Sequence, residues 1–189
     1  MDKSIPYYPI IMKRPKGTEV PSFALPREFS YVFYRPGDEI AWADIETSVN
    51  EFDKVEDALA YFKERFLPHP KELTRRCLFV ENATGDKIAT LTAWWAYTGT
   101  RRDPWLHWVA VKPEYQGHGL GKALVSRGMQ LMLELEGDQD VYLSTQTWSY
   151  RAVGLYKQMG FTYTAEKGIG GRPNDQYEKA VEVLEKYVR

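Results

Sequence analysis

The sequence predicts a mixed α+β fold, with a central, mostly antiparallel twisted sheet flanked by helices. Three observations lead there. Hydrophobic residues make up 43% of the 189 positions, enough for one domain with a real core. Short apolar runs of strand length, bounded by turn residues, are interspersed with stretches whose apolar residues recur at helical spacing. The longest helical stretch follows a strand-like run and a glycine-rich turn, Gln116-Gly117-His118-Gly119-Leu120-Gly121-Lys122.

Residues 1–28 are rich in proline and show no periodicity. Pro6, Pro9, Pro15, Pro21 and Pro26 argue against a long helix, so an irregular N-terminal extension over the surface is expected. Ser30-Tyr31-Val32-Phe33-Tyr34 reads as a first strand that ends at the turn Arg35-Pro36-Gly37-Asp38. Asp38 to Val49 and Val55 to Phe66 read as helices, the second with Val55, Leu59, Phe62 and Phe66 at helical spacing. Leu67-Pro68-His69-Pro70 ends it. A hairpin follows, Cys77 to Glu81 and Lys87 to Trp95 about the turn Asn82-Ala83-Thr84-Gly85-Asp86. Gly99 to Pro104 reads as a polar loop. Leu106 to Val111 is a strand apolar on both faces, as in the middle of a sheet. Residues 119–136 form a helix with Leu120, Leu124, Leu131 and Leu135 on its buried stripe. A strand at 141–146, a helix at about 149–159, a strand within Thr162 to Lys167 and a loop from Gly168 to Pro173 come next. Asn174 to Arg189 reads as an extra C-terminal helix, with Tyr177, Val181, Leu184 and Val188 on one face. No repeat, linker or low-complexity segment interrupts residues 1–189, so a single domain is expected.

Composition excludes several classes of function. The net charge is −1 and no strongly basic stretch stands out, which disfavours nucleic acid as a partner. No apolar run approaches the ~20 residues needed to cross a membrane. Met1-Asp2-Lys3-Ser4-Ile5-Pro6 lacks the apolar stretch of a secretion signal, and a cytoplasmic protein is the simplest reading. The single cysteine, Cys77, opens an apolar run and reads as a small core residue. His69, His107 and His118 have no ligand spacing, so no metal is expected.

A strand, a glycine turn and a helix in that order make an anion site. The first helical turn carries backbone N–H groups without intrahelical acceptors and a partial positive charge. Glycines let the backbone approach a ligand closely and adopt positive φ. The glycines fall as G-x-G-x-G, so neither the dinucleotide fingerprint nor the Walker pattern is met. The pattern Gln116-x-x-Gly119-x-Gly121 resembles the acyl-coenzyme A loop of the GNAT superfamily of N-acetyltransferases. A second block, Ala152-Val153-Gly154-Leu155-Tyr156-Lys157-Gln158-Met159-Gly160-Phe161, resembles that family's A-x-x-L-Y-x-x-x-G-F segment. The two blocks stand in the family's order, and the resemblance is clearest over residues 78–162. Read without it, the second block is an ordinary helix with a Gly160 cap and Phe161 packing back.

The resemblance implies an acetyltransferase that moves an acetyl group directly from acetyl-CoA to a primary amine of a small molecule or peptide. Backbone amides of Gln116, Gly117, His118, Gly119, Leu120, Gly121 and Lys122 would hold the pyrophosphate. Val109 and Val111 would offer main-chain hydrogen bonds to the pantetheine arm and the thioester oxygen. A fixed N–H aimed at the developing oxyanion lowers the barrier by about 3 kcal/mol. Tyr156 is the candidate general acid, because a phenol is protonated at neutral pH and matches a coenzyme A thiolate in basicity. His107 is the candidate base. It stands two residues before Val109, so strand alternation puts the two on one side. Leu106 to Val111 also resembles the serotonin N-acetyltransferase branch, where a histidine in that place serves the amine. Glu81 is the fallback base.

Two departures from the family stand out. Ser149 occupies the place where an asparagine often bonds the pantetheine arm, and it is equally placed to cap the helix it opens. After Phe161 the family adds two more strands, whereas here the final strand is missing or replaced. The alternative function is therefore a non-catalytic acyl-CoA-binding regulatory module. The resemblance leaves a homodimer open, and the acceptor's identity and the donor's acyl length as well.

Overall fold

The computed structural model describes residues 1–188. Among them lie seven strands, β1 (Pro9–Arg14), β2 (Ser30–Phe33), β3 (Cys77–Glu81), β4 (Lys87–Thr98), β5 (Arg101–Val111), β6 (Val141–Gln146) and β7 (Thr162–Tyr163). The six α-helices are α1 (Glu39–Ser48), α2 (Val55–Arg65), α3 (Pro70–Arg76), α4 (Leu120–Glu136), α5 (Tyr150–Gln158) and α6 (Tyr177–Tyr187). The strands form one open, mostly antiparallel sheet in the order β2-β3-β4-β5-β6-β1-β7, with β5 and β6 parallel. The mixed α+β class expected from sequence is the class observed. The chain divides into two compact units, one of Met1–Pro21, Trp94–His107 and the chain from Met132 on, the other of Ser22–Ala93 and Trp108–Leu131.

The second of these units holds the predicted hairpin. Asn82 Oδ1 accepts the N–H groups of Thr84 at 3.0 Å and Asp86 at 2.9 Å, and Gly85 takes φ 85°, so the turn is fixed by its own residues. Helices α1 and α2 bury Trp42, Ala43, Ile45, Ala58 and Phe62. The short α3 escapes the sequence reading, which takes Pro70 only as a terminator. Proline is well suited to the first helical position, where its missing N–H has no partner to lose. Arg76 at its end is buried, bonding Glu72 and donating from Nη1 to the Ala93 carbonyl at 3.1 Å. On α4 a Cβ at Gly128 would lie 2.5 Å from Leu91 Cδ2, so the glycine allows helix and strand to approach closely.

The other unit corrects the expectation for residues 1–28. Pro9–Arg14 is a strand, and Ile10, Ile11 and Met12 are buried. It pairs antiparallel with β6 from Pro9↔Gln146 to Arg14↔Val141, and with β7 at Met12↔Tyr163 and Lys13↔Thr162. The missing final strand is thus replaced by one from near the other end of the sequence. Ile11, Trp105, Tyr142 and Ile169 form a core cluster here, with Ala96 packed against it. Helix α6 packs on β1 through a face that buries Ala180 and Leu184.

Three boundaries also differ. The polar loop expected from Gly99 to Pro104 shrinks to Gly99-Thr100, because β4 runs to Thr98 and β5 starts at Arg101. Buried Asp103 accepts hydrogen bonds from Thr98 Oγ1 at 2.5 Å and Arg101 Nε at 2.7 Å, so polar residues satisfy one another within the strands. The strand in Thr162 to Lys167 is only two residues long. Past it, Asn174 Nδ2 donates to the carbonyls of Thr164 at 2.8 Å and Glu166 at 3.0 Å, which holds the chain out of the ladder. Helix α6 therefore starts at Tyr177, not Asn174, and Arg189 lies outside the described residues.

Candidate active site

Strand β5 delivers the chain to the glycine loop through an unusual residue. Trp108 has φ 51°, a left-handed conformation rare for a bulky side chain and worth about 1–3 kcal/mol of strain. Beyond it Val109 and Val111 are half-buried and Ala110 is buried. The two-residue alternation therefore does not carry from His107 to Val109, and the same-side argument for this pair does not hold.

Pro113–Tyr115 then makes a single 3₁₀ turn. Gln116 closes it, its N–H donating to the Pro113 carbonyl at 3.2 Å and its side-chain Nε2 to the Val111 carbonyl at 2.8 Å. Gln116 thus braces the turn through both its main-chain and its side-chain nitrogen. Gly117 and Gly119 take φ 84° and 81°. A Cβ built on either meets nothing within 4 Å, so glycine serves conformation here and the surrounding space stays open. The Ala123 N–H donates to the Gly119 carbonyl at 3.2 Å, which makes Gly119 the cap of α4. Leu120, Gly121 and Lys122 form the first turn of this 17-residue helix, with N–H groups that have no intrahelical acceptor. His118 is exposed, with Nδ1 3.3 Å from the Tyr115 carbonyl. Lys122 is exposed, with Nζ 5.7 Å from the Phe23 ring.

Glu81 belongs to the same unit. Its Oε1 lies 3.0 Å from Lys87 Nζ, and Lys87 is also 3.0 Å from Asp38 Oδ1. Burial acts to lower the Lys87 pKa, but its bonds to Glu81 and Asp38 outweigh burial and leave it raised.

The remaining candidates belong to the other unit. Tyr156 is buried on α5, its ring 6.1 Å from Phe161 at 63°. Its carbonyl accepts the N–H groups of Met159 at 3.0 Å and Phe161 at 3.1 Å, and Gly160 turns at φ 84°. The block is thus also a capped helix end. Ser149 precedes α5 without a side-chain cap bond, and its Oγ accepts from Gln146 Nε2 at 3.2 Å. The alternative reading of Ser149 as a cap is therefore corrected. His107 is half-buried, its ring 6.1 Å from Trp105.

Glu46 is the group the sequence reading passed over. It is 1% exposed on α1, and neither carboxyl oxygen has a hydrogen-bond partner among the described residues. Burial, and secondarily the charge of Glu51, push its carboxyl well above the usual carboxylate range. The available signal is its spacing. It stands four residues after Trp42, on the same helical face as that fully buried indole.

Fold and loop set the frame for comparison with known proteins. The model of the acetyltransferase (GNAT) family matches residues 39–161, and the chain belongs to that family. An N-alpha-acetyltransferase of Sulfurisphaera tokodaii is 30% identical over 104 residues, 51% of this chain and 62% of the relative. A thialysine N-epsilon-acetyltransferase of Sus scrofa is 35% identical over 63 residues, 33% of this chain and 36% of the relative. A spermine/spermidine N(1)-acetyltransferase of Bacillus subtilis is 33% identical over 67 residues, 35% of this chain and 44% of the relative. The matched segments thus span less than two thirds of these curated relatives. Among solved structures, a GCN5-related N-acetyltransferase from Sphaerobacter thermophilus shares the fold at TM-score 0.62 and 20% identity, covering 84% of this chain and 50% of that one. Among the described residues, no helix is long and apolar enough to cross a membrane, and no group of three His, Cys, Asp or Glu side chains is placed to hold a metal ion.

Proposed function

We propose that this protein transfers an acetyl group from acetyl-CoA to a primary amine of a small molecule or peptide. The observation that carries the reading is the open turn at Gly117 and Gly119, which leads into the 17-residue α4. Such a turn presents N–H groups and the positive end of a long helix to one point, which suits the pyrophosphate of coenzyme A. The Trp108 distortion just before Val109 supports it, since strained backbone collects where a ligand is clamped. The relatives' acceptors are all amines by name, and they support the same acceptor class.

In this reading the amine nitrogen attacks the thioester carbonyl carbon, and the carbon–sulfur bond then breaks. The coenzyme A thiolate takes a proton from Tyr156. The amine's proton leaves to His107, with Glu81 as the second candidate. An imidazole titrating near neutrality suits that task, and the Glu81 carboxylate is engaged by Lys87. Val109 and Val111 line the acyl arm, and Ser149 is a minor contact to it.

Calorimetric titration with acetyl-CoA, with free coenzyme A and NAD as controls, tests the loop. Micromolar binding of the coenzyme A ligands alone is expected, and no binding to the folded protein would end the proposal. Tyr156→Phe then tests chemistry. Turnover should fall about 10²-fold or more with acetyl-CoA affinity unchanged. An unchanged rate would remove Tyr156 from the mechanism.

A further inference from the structure

We propose that Glu46 is the anionic anchor for the amino group of a small aliphatic amine, which it binds beneath an aromatic rim formed by Phe52, Tyr61 and Trp108. The proposal rests on the acetyl-transfer reading above and names a residue that holds the acceptor.

A carboxyl group that is buried and unbonded needs a reason, because it has lost its water and gained no partner in exchange. Both oxygens of Glu46 are in that state. The indole Nε1 atoms of Trp42 and Trp108 are likewise buried without a hydrogen-bond partner among the described residues, so neither supplies the bond. Glu51 comes close through the backbone, its N–H donating to the Glu46 carbonyl at 3.1 Å, but it brings a like charge. The Cys77 thiol, pushed up to about 12 by burial, feels the charge of Glu46 as well. The charge recorded at this carboxyl is the like charge of Glu51, and the partner that would satisfy it is a cation or a strong donor.

The rings give that cation a shape. Trp42 forms the floor at 0% exposure, one helical turn before Glu46. Phe52, Tyr61 and Trp108 are half-buried and reach the surface. Trp108 stands nearly perpendicular to Trp42 and to Tyr61, with centroids 5.5 and 5.0 Å away, and Phe52 lies 5.2 Å from Trp108. Four mutually packed rings, one of them a helical turn before the carboxyl, make an apolar, electron-rich cluster that favours an alkylammonium over a neutral alcohol. An entering cation also favours the ionised carboxyl, whose proton passes to solvent. Trp108 precedes Val109, so the same strained residue links this lining to the strand expected to run beside the acyl arm.

Direct binding tests this without turnover. Putrescine and n-butylamine are titrated calorimetrically into the full chain, with n-butanol as the uncharged control, and acetyl-CoA is titrated separately. Wild type should bind the amines and not the alcohol. Glu46→Gln should bind the amines at least ten-fold more weakly with acetyl-CoA affinity within two-fold, and Tyr61→Leu should weaken amine binding by a smaller factor. No amine binding by wild type, or unchanged amine binding by Glu46→Gln, overturns the anchor whether or not acetyl-CoA binds. Loss of acetyl-CoA binding by wild type counts against the acetyl-transfer reading alone.

Discussion

Replacing Glu46 by glutamine should change how the stability of this fold depends on pH. In the native protein burial holds the carboxyl well above its ordinary value of 4.5, while in the unfolded chain it titrates near that value. Above pH 4.5 the unfolded chain releases this proton and the folded chain keeps it. The unfolded state then binds one proton fewer, so stability falls as pH rises, until the folded carboxyl also ionises. One proton is worth about 1.4 kcal/mol per pH unit. For a chain of this size that is a shift of about 3–6 °C in Tm per pH unit. Urea and thermal denaturation of wild type and Glu46→Gln at half-unit steps from pH 4.5 to 7 measure it. The gap between them should move steadily in favour of the glutamine variant as pH rises. A constant gap across that range would mean that Glu46 titrates normally in the fold, and the reasoning from its burial would be wrong.

Two further substitutions test the loop and the sheet. Gly119→Ala has room for its Cβ but must hold φ 81°, which costs an L-residue about 1–2 kcal/mol. Acetyl-CoA affinity should fall by about ten-fold in calorimetry, and an unchanged affinity would show that the turn does not shape the site. Ile11→Ala removes a buried residue from the cluster with Trp105, Tyr142 and Ile169 and should cost about 2–5 kcal/mol in urea denaturation. A loss under ~0.5 kcal/mol would mean that β1 merely lies on the surface.

The parts of this fold that were legible in sequence have local causes. The hairpin is announced by two apolar runs about a turn whose asparagine bonds its own backbone, and α4 by leucines at helical spacing. β1 was hidden because its evidence is not local. Ile10-Ile11-Met12 is a run too short to classify among prolines, and its partners are β6 and β7. The polar start of β5 looked like a loop because Asp103 is satisfied by Thr98 across the turn and by Arg101 two residues before it. The glycine loop was legible as a pattern, yet the sequence could not show that Gln116 bonds back to Pro113 and Val111 or that Trp108 breaks the strand's alternation. Glu46 passed unremarked, since charge alone does not report burial.

The placement of β1 bears on how the protein is made. The Tyr8 N–H donates to Thr147 Oγ1 across 139 residues, and the strand that follows Tyr8 leaves the ribosome long before β6 exists. At cellular translation speeds the wait is on the order of ten seconds. Throughout it Ile10, Ile11 and Met12 are a bare, strand-prone segment open to chaperones or to a neighbouring chain. Assembly of this unit is therefore a late event that recruits a strand made long before its partners.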